Sequence, residues 1–164
     1  MPATEFYAPA RLEEAGARFQ AARIQEDVIA VVRSTARQAL CADGVTFVLR
    51  DGDFCHYVEE DAIGPLWKGK KFPIDTCVSG WAMLNDQTAA ISDIYVDKRV
   101  PQQAYRPTFV RSLIMAPIRV DGPVAAIGAY WRERRKFTPE DLKAVEMMAE
   151  FAGHALRRVR GNKT

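Results

Sequence analysis

Two Asp-Gly pairs constrain the fold of this chain most, because each stands in the middle of a run of β-branched and aromatic residues. Residues 44–59 read GVTFVLRDGDFCHYVE around Asp51-Gly52, and residues 112–131 read SLIMAPIRVDGPVAAIGAYW around Asp121-Gly122. Asp-Gly supplies the positive φ angles of a tight turn, so each run predicts a β-hairpin and the pair predicts four strands. Pro123 falls at the start of its strand, where a missing N–H is tolerated. Between the hairpins lies a long segment of mixed character. It holds a predicted short helix at Val78–Asn85, a turn-rich stretch at Ser92–Pro101 and a break at Arg106-Pro107. Compact domains rarely keep so long an insert unless it has a binding or lid role, so the insert is where a functional site is expected.

Helical periodicity flanks the hairpins. Leu12, Ala15, Phe19 and Ala22, then Ile24, Val28, Val31 and Thr35, recur at helical spacing and predict one helix from Arg11 to Leu40 whose apolar seam shifts at its middle. The last helix has a full start signal: Thr138 as N-cap, Pro139 at the first helical position, Glu140 and Asp141 in the first turn, and Phe137 placed to staple onto Leu142. Leu142, Val145, Ala149, Ala152, Leu156 and Val159 form one apolar stripe; Ala144, Met148, Phe151 and Ala155 form a second beside it. One stripe suffices to cover the sheet. The other is expected to meet a partner helix, giving a homodimer through the terminal helices; the alternative is one wide core face in a monomer.

Composition limits the function classes. A chain of 164 residues suits a single domain, and 48% hydrophobic with 27% charged residues is ordinary for a globular protein. The net charge of +2 makes no case for nucleic acid or an anionic membrane, and the clusters Arg132, Arg134, Arg135, Lys136 and Arg157, Arg158, Arg160 lack interleaved aromatics. They read as solvated surface. Cys41, Cys55 and Cys77 are odd in number and form no CxxC pair, so neither a disulfide framework nor a structural zinc site is written here. With no secretory signal pattern at the N-terminus and no apolar run of spanning length, a cytoplasmic location is expected.

The order helix, hairpin, insert, hairpin, helix resembles the GAF domain family over residues 20–158, with residues 1–19 as an N-terminal extension and helix start. Residues 72–84, FPIDTCVSGWAML, resemble the family's strand-to-helix segment with a small-Gly pair at Ser79-Gly80. Residues 89–99, AAISDIYVDKR, resemble its acidic stretch through Asp93 and Asp97, and residues 109–131 its signature hairpin through Arg111, Ser112, Pro117, Ile127 and Gly128. The fold so implied is α+β: a GAF-like, PAS-related antiparallel sheet, terminal helices packed together, and a pocket-forming insert between two hairpins. Residues 61–83, DAIGPLWKGKKFPIDTCVSGWAM, resemble GAF modules placed ahead of bacterial sensor histidine kinases. That implies a signalling role and a kinase or other output partner. No kinase ATP-binding boxes fit in the chain and His154 reads as a helix-face histidine, so the expectation is an excised module or a free-standing sensor.

A pocket closed by the insert combines apolar walls with converging polar groups. Trp67, Phe72, Cys77, Trp81, Asp93, Tyr95, Tyr105, Arg111 and Ser112 are the candidate ligand-binding residues for a small molecule of unknown identity, with Arg106 and Phe109 as neighbours. Each has a structural alternative: the aromatics as core, and Asp93 with Arg111 as a pair that holds the insert. Cys55-His56 resembles the bilin-attaching dipeptide of phytochrome-like GAF domains, but lies in the first hairpin rather than the insert. Cys77 has no evident basic neighbour to lower its pKa. The resemblance extends to free methionine sulfoxide reductases, yet Ser79 stands at one of their cysteine places and residues 98–110 contain no cysteine. The Asn-Lys, Phe and Asp-Glu pattern of cyclic-nucleotide GAF domains is also missing. No catalytic role is expected.

Overall fold

Both hairpins are present in the computed structural model, which describes residues 8–161. Residues 1–7 of the expected N-terminal extension, and 162–164, lie outside the described residues. Strands β1 (Gly44–Asp51) and β2 (Phe54–Ala62) make the first hairpin, and Gly52 takes a φ of 61° in its turn. The insert adds two strands too short for alternation to reveal, β3 (Lys71–Pro73) and β4 (Ala89–Ile91). The second hairpin is β5 (Ser112–Arg119) and β6 (Pro123–Trp131), turned by Asp121 and Gly122 at φ 54° and 105°. These pair antiparallel in the order β3-β2-β1-β6-β5-β4, so the insert supplies both edges of a sheet whose centre is the two hairpins.

The N-terminal helix differs from expectation. It is two helices, α1 (Pro9–Gln20) and α2 (residues 25–39), the second containing one π-helical turn at Val32–Ala36. Ile24 is extended, and the Asp27 carboxylate accepts from the N–H groups of Arg23 and Ile24 at 2.8 and 3.2 Å. The Arg158 guanidinium donates to the carbonyls of Phe19 and Ala22 that the break exposes. The seam shift in the sequence marks this break.

In the insert, α3 (Val78–Asn85) has its expected bounds and is followed by the single turn α4 (Gln102–Tyr105). The last helix, α5 (Pro139–Gly161), begins as expected: the Asp141 N–H donates to Thr138 Oγ1 at 3.2 Å and the Thr138 N–H to Asp141 Oδ2 at 2.8 Å. Its two stripes are not divided between sheet and partner. Ala144, Met148 and Ala155 are as buried as Val145, Ala149, Ala152 and Leu156, in one core with α1, α2 and the sheet. Phe151 is half-buried against Phe19, with ring centroids 6.4 Å apart. The chain's own α1 therefore meets the second stripe, and Gly16 permits the approach, since a Cβ there would come within 2.9 Å of the Phe151 ring.

The sheet is covered on both faces. Val45, Phe47, Ile114, Ala116, Ile118 and Ile127 point to the helices, while Val48, Tyr57, Leu113, Met115, Ala126 and Tyr130 point to the insert. Among the described residues no helix is long and apolar enough to cross a membrane.

Candidate functional site

The insert is fastened to the sheet by a carboxylate. Glu60, near the end of β2, accepts the backbone N–H groups of Leu66, Trp67 and Lys68 at 2.9, 2.8 and 2.8 Å, which fixes Trp67 over the sheet. Its buried neighbour Glu59 pairs with Arg33 at 3.0 Å and Lys68 at 2.7 Å. Burial pushes the Glu59 carboxyl up, but Lys68, the Glu60 N–H and Arg33 together hold it below its usual value. On the other side α3 packs so tightly that a Cβ on Gly80 would lie 1.6 Å from the Ile74 carbonyl oxygen. Only glycine fits there.

Beneath these anchors lies an aromatic chamber. Trp67 occupies its centre, with ring centroids 4.6 Å from Tyr105, 5.5 Å from Tyr57 and 5.5 Å from Tyr130; Phe72 stands edge-on to Tyr57 at 5.6 Å. Trp67 Nε1 donates to the Ala104 carbonyl at 3.0 Å, tying the chamber to α4. Between Tyr57, Trp67, Phe72, Cys77, Ala104 and Tyr105 a cavity of about 10 Å³ is left, room for roughly one water. Two phenols are partnered: Tyr57 with Ser79 Oγ at 2.9 Å and Tyr130 with Thr46 Oγ1 at 2.8 Å. Gly128 makes the second possible, because a Cβ there would come within 2.5 Å of the Tyr130 hydroxyl. The Tyr105 hydroxyl is buried with no hydrogen-bond partner, lying near Tyr130 but outside bonding geometry. Burial raises all three phenols well above their usual range, so each remains a donor at neutral pH.

Two thiols border the chamber. Cys77 immediately precedes α3, and its sulfur lies 3.3 Å from Ser79 Oγ and 3.7 Å from the Pro73 carbonyl. Cys55, on β2 opposite Phe72, is fully buried in the same cluster as Cys77. The neighbouring Cys55 first, then Ser79 and the Gly80 N–H, favour the Cys77 thiolate and lower its pKa despite burial; Cys55 is pushed up in return. A depressed thiol pKa thus arises here without a basic neighbour, which the sequence pattern did not disclose. Cys55 comes from the hairpin, as expected, yet it faces the insert.

The nine candidate residues divide. Trp67, Phe72, Cys77 and Tyr105 meet in the chamber. Asp93, Tyr95, Arg111 and Ser112 do not; Asp93, Tyr95 and Arg111 form a brace at the edge of the insert, and Ser112 is buried at the start of β5. The Asp93 carboxylate accepts from Arg111 at 2.9 and 3.3 Å and from the Tyr95 N–H at 3.0 Å, and Arg111 first, then that N–H, holds it below its ordinary value. Tyr95 is 54% exposed with the Arg111 guanidinium 4.8 Å from its ring centre, and Ser112 Oγ donates to the Glu133 carbonyl at 2.6 Å. Trp81 lines a separate open cleft with Arg99 stacked at 4.5 Å. Arg106 is exposed and Phe109 packs against Gly44. The sequence reasoning missed Tyr57, Tyr130 and Ser79, although strand alternation places Cys55 with Tyr57 and Ala126 with Tyr130 on the insert side. Among the described residues no group of three or more His, Cys, Asp or Glu could hold a metal ion.

Comparison with known proteins fits this geometry. A profile described as the GAF domain matches residues 25–156. No curated protein matches the sequence. Among solved structures, the chain is similar to the free methionine-R-sulfoxide reductase of Neisseria meningitidis in complex with its substrate (TM-score 0.81, 17% identity, 99% of each chain covered). It is likewise similar to the GAF domain of an Acinetobacter phosphoenolpyruvate-protein phosphotransferase (TM-score 0.79, 8% identity, 94% and 95% covered). A third is the phycocyanobilin-bound GAF domain of a cyanobacterial phytochrome (TM-score 0.77, 17% identity, 98% and 99% covered). At these identities the likeness is one of fold.

Proposed function

The chain belongs to the GAF domain family, and on that premise we propose that it is a small-molecule-sensing module that passes a ligand-dependent change to a signalling output. GAF domains are signalling and sensory modules. The observation that carries the reading is the partnerless Tyr105 hydroxyl at the wall of a chamber otherwise made of aromatic rings and thiols. A buried donor without an acceptor costs free energy, and a ligand that supplies the acceptor recovers it. The ligand is therefore a small, largely apolar molecule with one hydrogen-bond acceptor. It enters by displacing Trp67 or moving α4, since the cavity of about 10 Å³ admits nothing larger than water. Differential affinity for the closed and opened insert is what makes such a ligand a signal. Residues 61–83, with their likeness to histidine-kinase modules, favour a kinase as the output. The module is taken as cytoplasmic and as one domain over residues 1–164 with its core at 20–158.

A screen of metabolites by thermal shift, followed by native mass spectrometry, tests the reading. The expected binder changes the emission of Trp67 and binds about tenfold more weakly to Tyr105→Phe, a loss near 1.4 kcal/mol. A binder that ignores Tyr105 and Trp67 contradicts the assignment of the chamber. Sulfoxide reduction is not part of this reading: residues 98–110 hold no thiol, and free methionine sulfoxide with a thiol reductant should show no turnover.

One observation favours a second reading. The chamber is almost full, while an apolar groove of about 700 Å³ runs between α1 and α5, lined by Leu12, Ala17, Met147 and Phe151. On that reading the chain is a dimerisation module with a vestigial pocket, and the groove receives a second copy. Sedimentation separates the two: a dimer broken by Met147→Lys, with no metabolite raising the melting temperature, selects the dimerisation module.

A further inference from the structure

The two buried thiols beside the chamber have a setting unlike that of a cysteine used as core filler. Cys77 borders two spaces at once. Inward it touches the chamber; outward it forms the floor of an open cleft of about 360 Å³ whose walls include Thr76, Trp81, Lys98 and Arg99. Cys55 has no such access, being fully buried on β2, yet it belongs to the same buried cluster as Cys77 and the two thiols influence one another. Cys77 stands at the N-terminal end of an eight-residue helix with Ser79 Oγ 3.3 Å from its sulfur, an environment that stabilises negative charge on sulfur. One thiol that lines an open cleft and is inclined to ionise, beside one that does neither, is the arrangement of an attacking and a resolving cysteine.

We propose that Cys55 and Cys77 form a peroxide-responsive dithiol, in which a hydroperoxide entering by the Trp81–Arg99 cleft oxidises Cys77 and Cys55 then closes a disulfide onto it. In the first step the Cys77 thiolate attacks the terminal peroxide oxygen. The S–O bond forms, the O–O bond breaks, and the leaving alkoxide or hydroxide takes the proton that the thiol released, giving an alcohol or water. Sulfur is oxidised by two electrons and the peroxide is reduced by two. In the second step the Cys55 sulfur attacks the sulfenic sulfur; the S–S bond forms, the S–O bond breaks, and hydroxide leaves as water with the Cys55 proton. A dithiol reductant reverses the bond by exchange.

The disulfide has a structural consequence. It ties the first turn of α3 to β2, and it takes the thiol away from Ser79, whose hydroxyl also partners Tyr57 in the chamber. Oxidation thus reaches the wall of the aromatic chamber through a single side chain. The inference does not depend on what the chamber binds.

The test uses the full chain. Reduced protein is freed of reductant, treated with hydrogen peroxide and denatured, and its remaining thiols are alkylated. The expected product has lost the mass of two hydrogens, yields a linked peptide pair carrying Cys55 and Cys77, and is alkylated at the exposed Cys41 alone. In Cys55→Ser the sulfenic acid on Cys77 persists and is trapped by dimedone, whereas Cys77→Ser gives neither trapping at that position nor linked peptides. Cys41→Ser leaves the linkage intact. The proposal is overturned if peroxide-treated wild-type protein keeps Cys55 and Cys77 alkylatable, or if oxidation is confined to Cys41 and links two chains. Circular dichroism reports whether each variant folds, and the wild-type peptide map decides the matter by itself if one does not.

Discussion

The two faces of the sheet are built from different materials. On the helical side the core is aliphatic, with Ile114, Ile118, Ile127, Val145, Met148 and Leu156 close-packed beneath α1, α2 and α5. On the insert side the core is aromatic and polar at its centre: three phenol rings around Trp67, two thiols and a serine, one hydroxyl among them without a partner. An aliphatic core gains stability from every methylene it buries. A core that keeps an unsatisfied hydroxyl forgoes some of that gain, and such strain collects where a protein binds or switches. One face is close-packed and aliphatic; the other keeps an unpaired hydroxyl among aromatic rings.

The contrast fails or sharpens under substitution. Met148→Ala on the helical side should cost about 2–5 kcal/mol in urea unfolding, because the residue is fully buried among side chains that cannot close the gap. A cost confined to a local opening of the insert would contradict the division. Tyr57→Phe, on the insert side, strips Ser79 of its phenol partner and should cost about 1 kcal/mol, read from the same curve. Tyr105→Phe removes a hydroxyl that bonds nothing, so its effect should be neutral or stabilising by up to about 1 kcal/mol, and a destabilisation equal to that of Tyr57→Phe would show that the hydroxyl is satisfied.

The smallest effect is that of acid on the outer brace. Arg111 holds Asp93, and Arg99 holds Asp97, below the ordinary carboxylate value of 3.8. Their stabilisation is complete above that value and is lost as pH falls through the lowered ones. Thermal melts between neutral pH and the carboxylate range should be flat in this respect, with a decline only below it, and Arg111→Gln should weaken the acid limb of that decline.

What was legible in the sequence was what neighbours in the chain decide. The hairpins follow from Asp51-Gly52 and Asp121-Gly122, and the start of α5 from Thr138, Pro139 and Asp141, all within a turn of each other. The break between α1 and α2 is set partly by Arg158, far along the chain, and no local pattern announces that contact. β3 and β4 are three residues each, too short to show a period. In the site, the composition of the insert pointed to Trp67, Phe72, Cys77 and Tyr105, but Tyr57 and Tyr130 look like any strand aromatic until the insert is laid over them. Asp93 and Arg111 read as ligand contacts or as a brace, and in the structure they pair with each other.

In native-state hydrogen exchange across the chain, the Trp67, Lys68 and Tyr105 amides are expected to exchange through a sub-global opening, while those of Ile114, Ile127 and Met148 exchange only by global unfolding. Uniform protection, with the amides bound to Glu60 as slow as those of the central strands, would mean that the insert is as much a fixed core as the helical face, and would contradict the account.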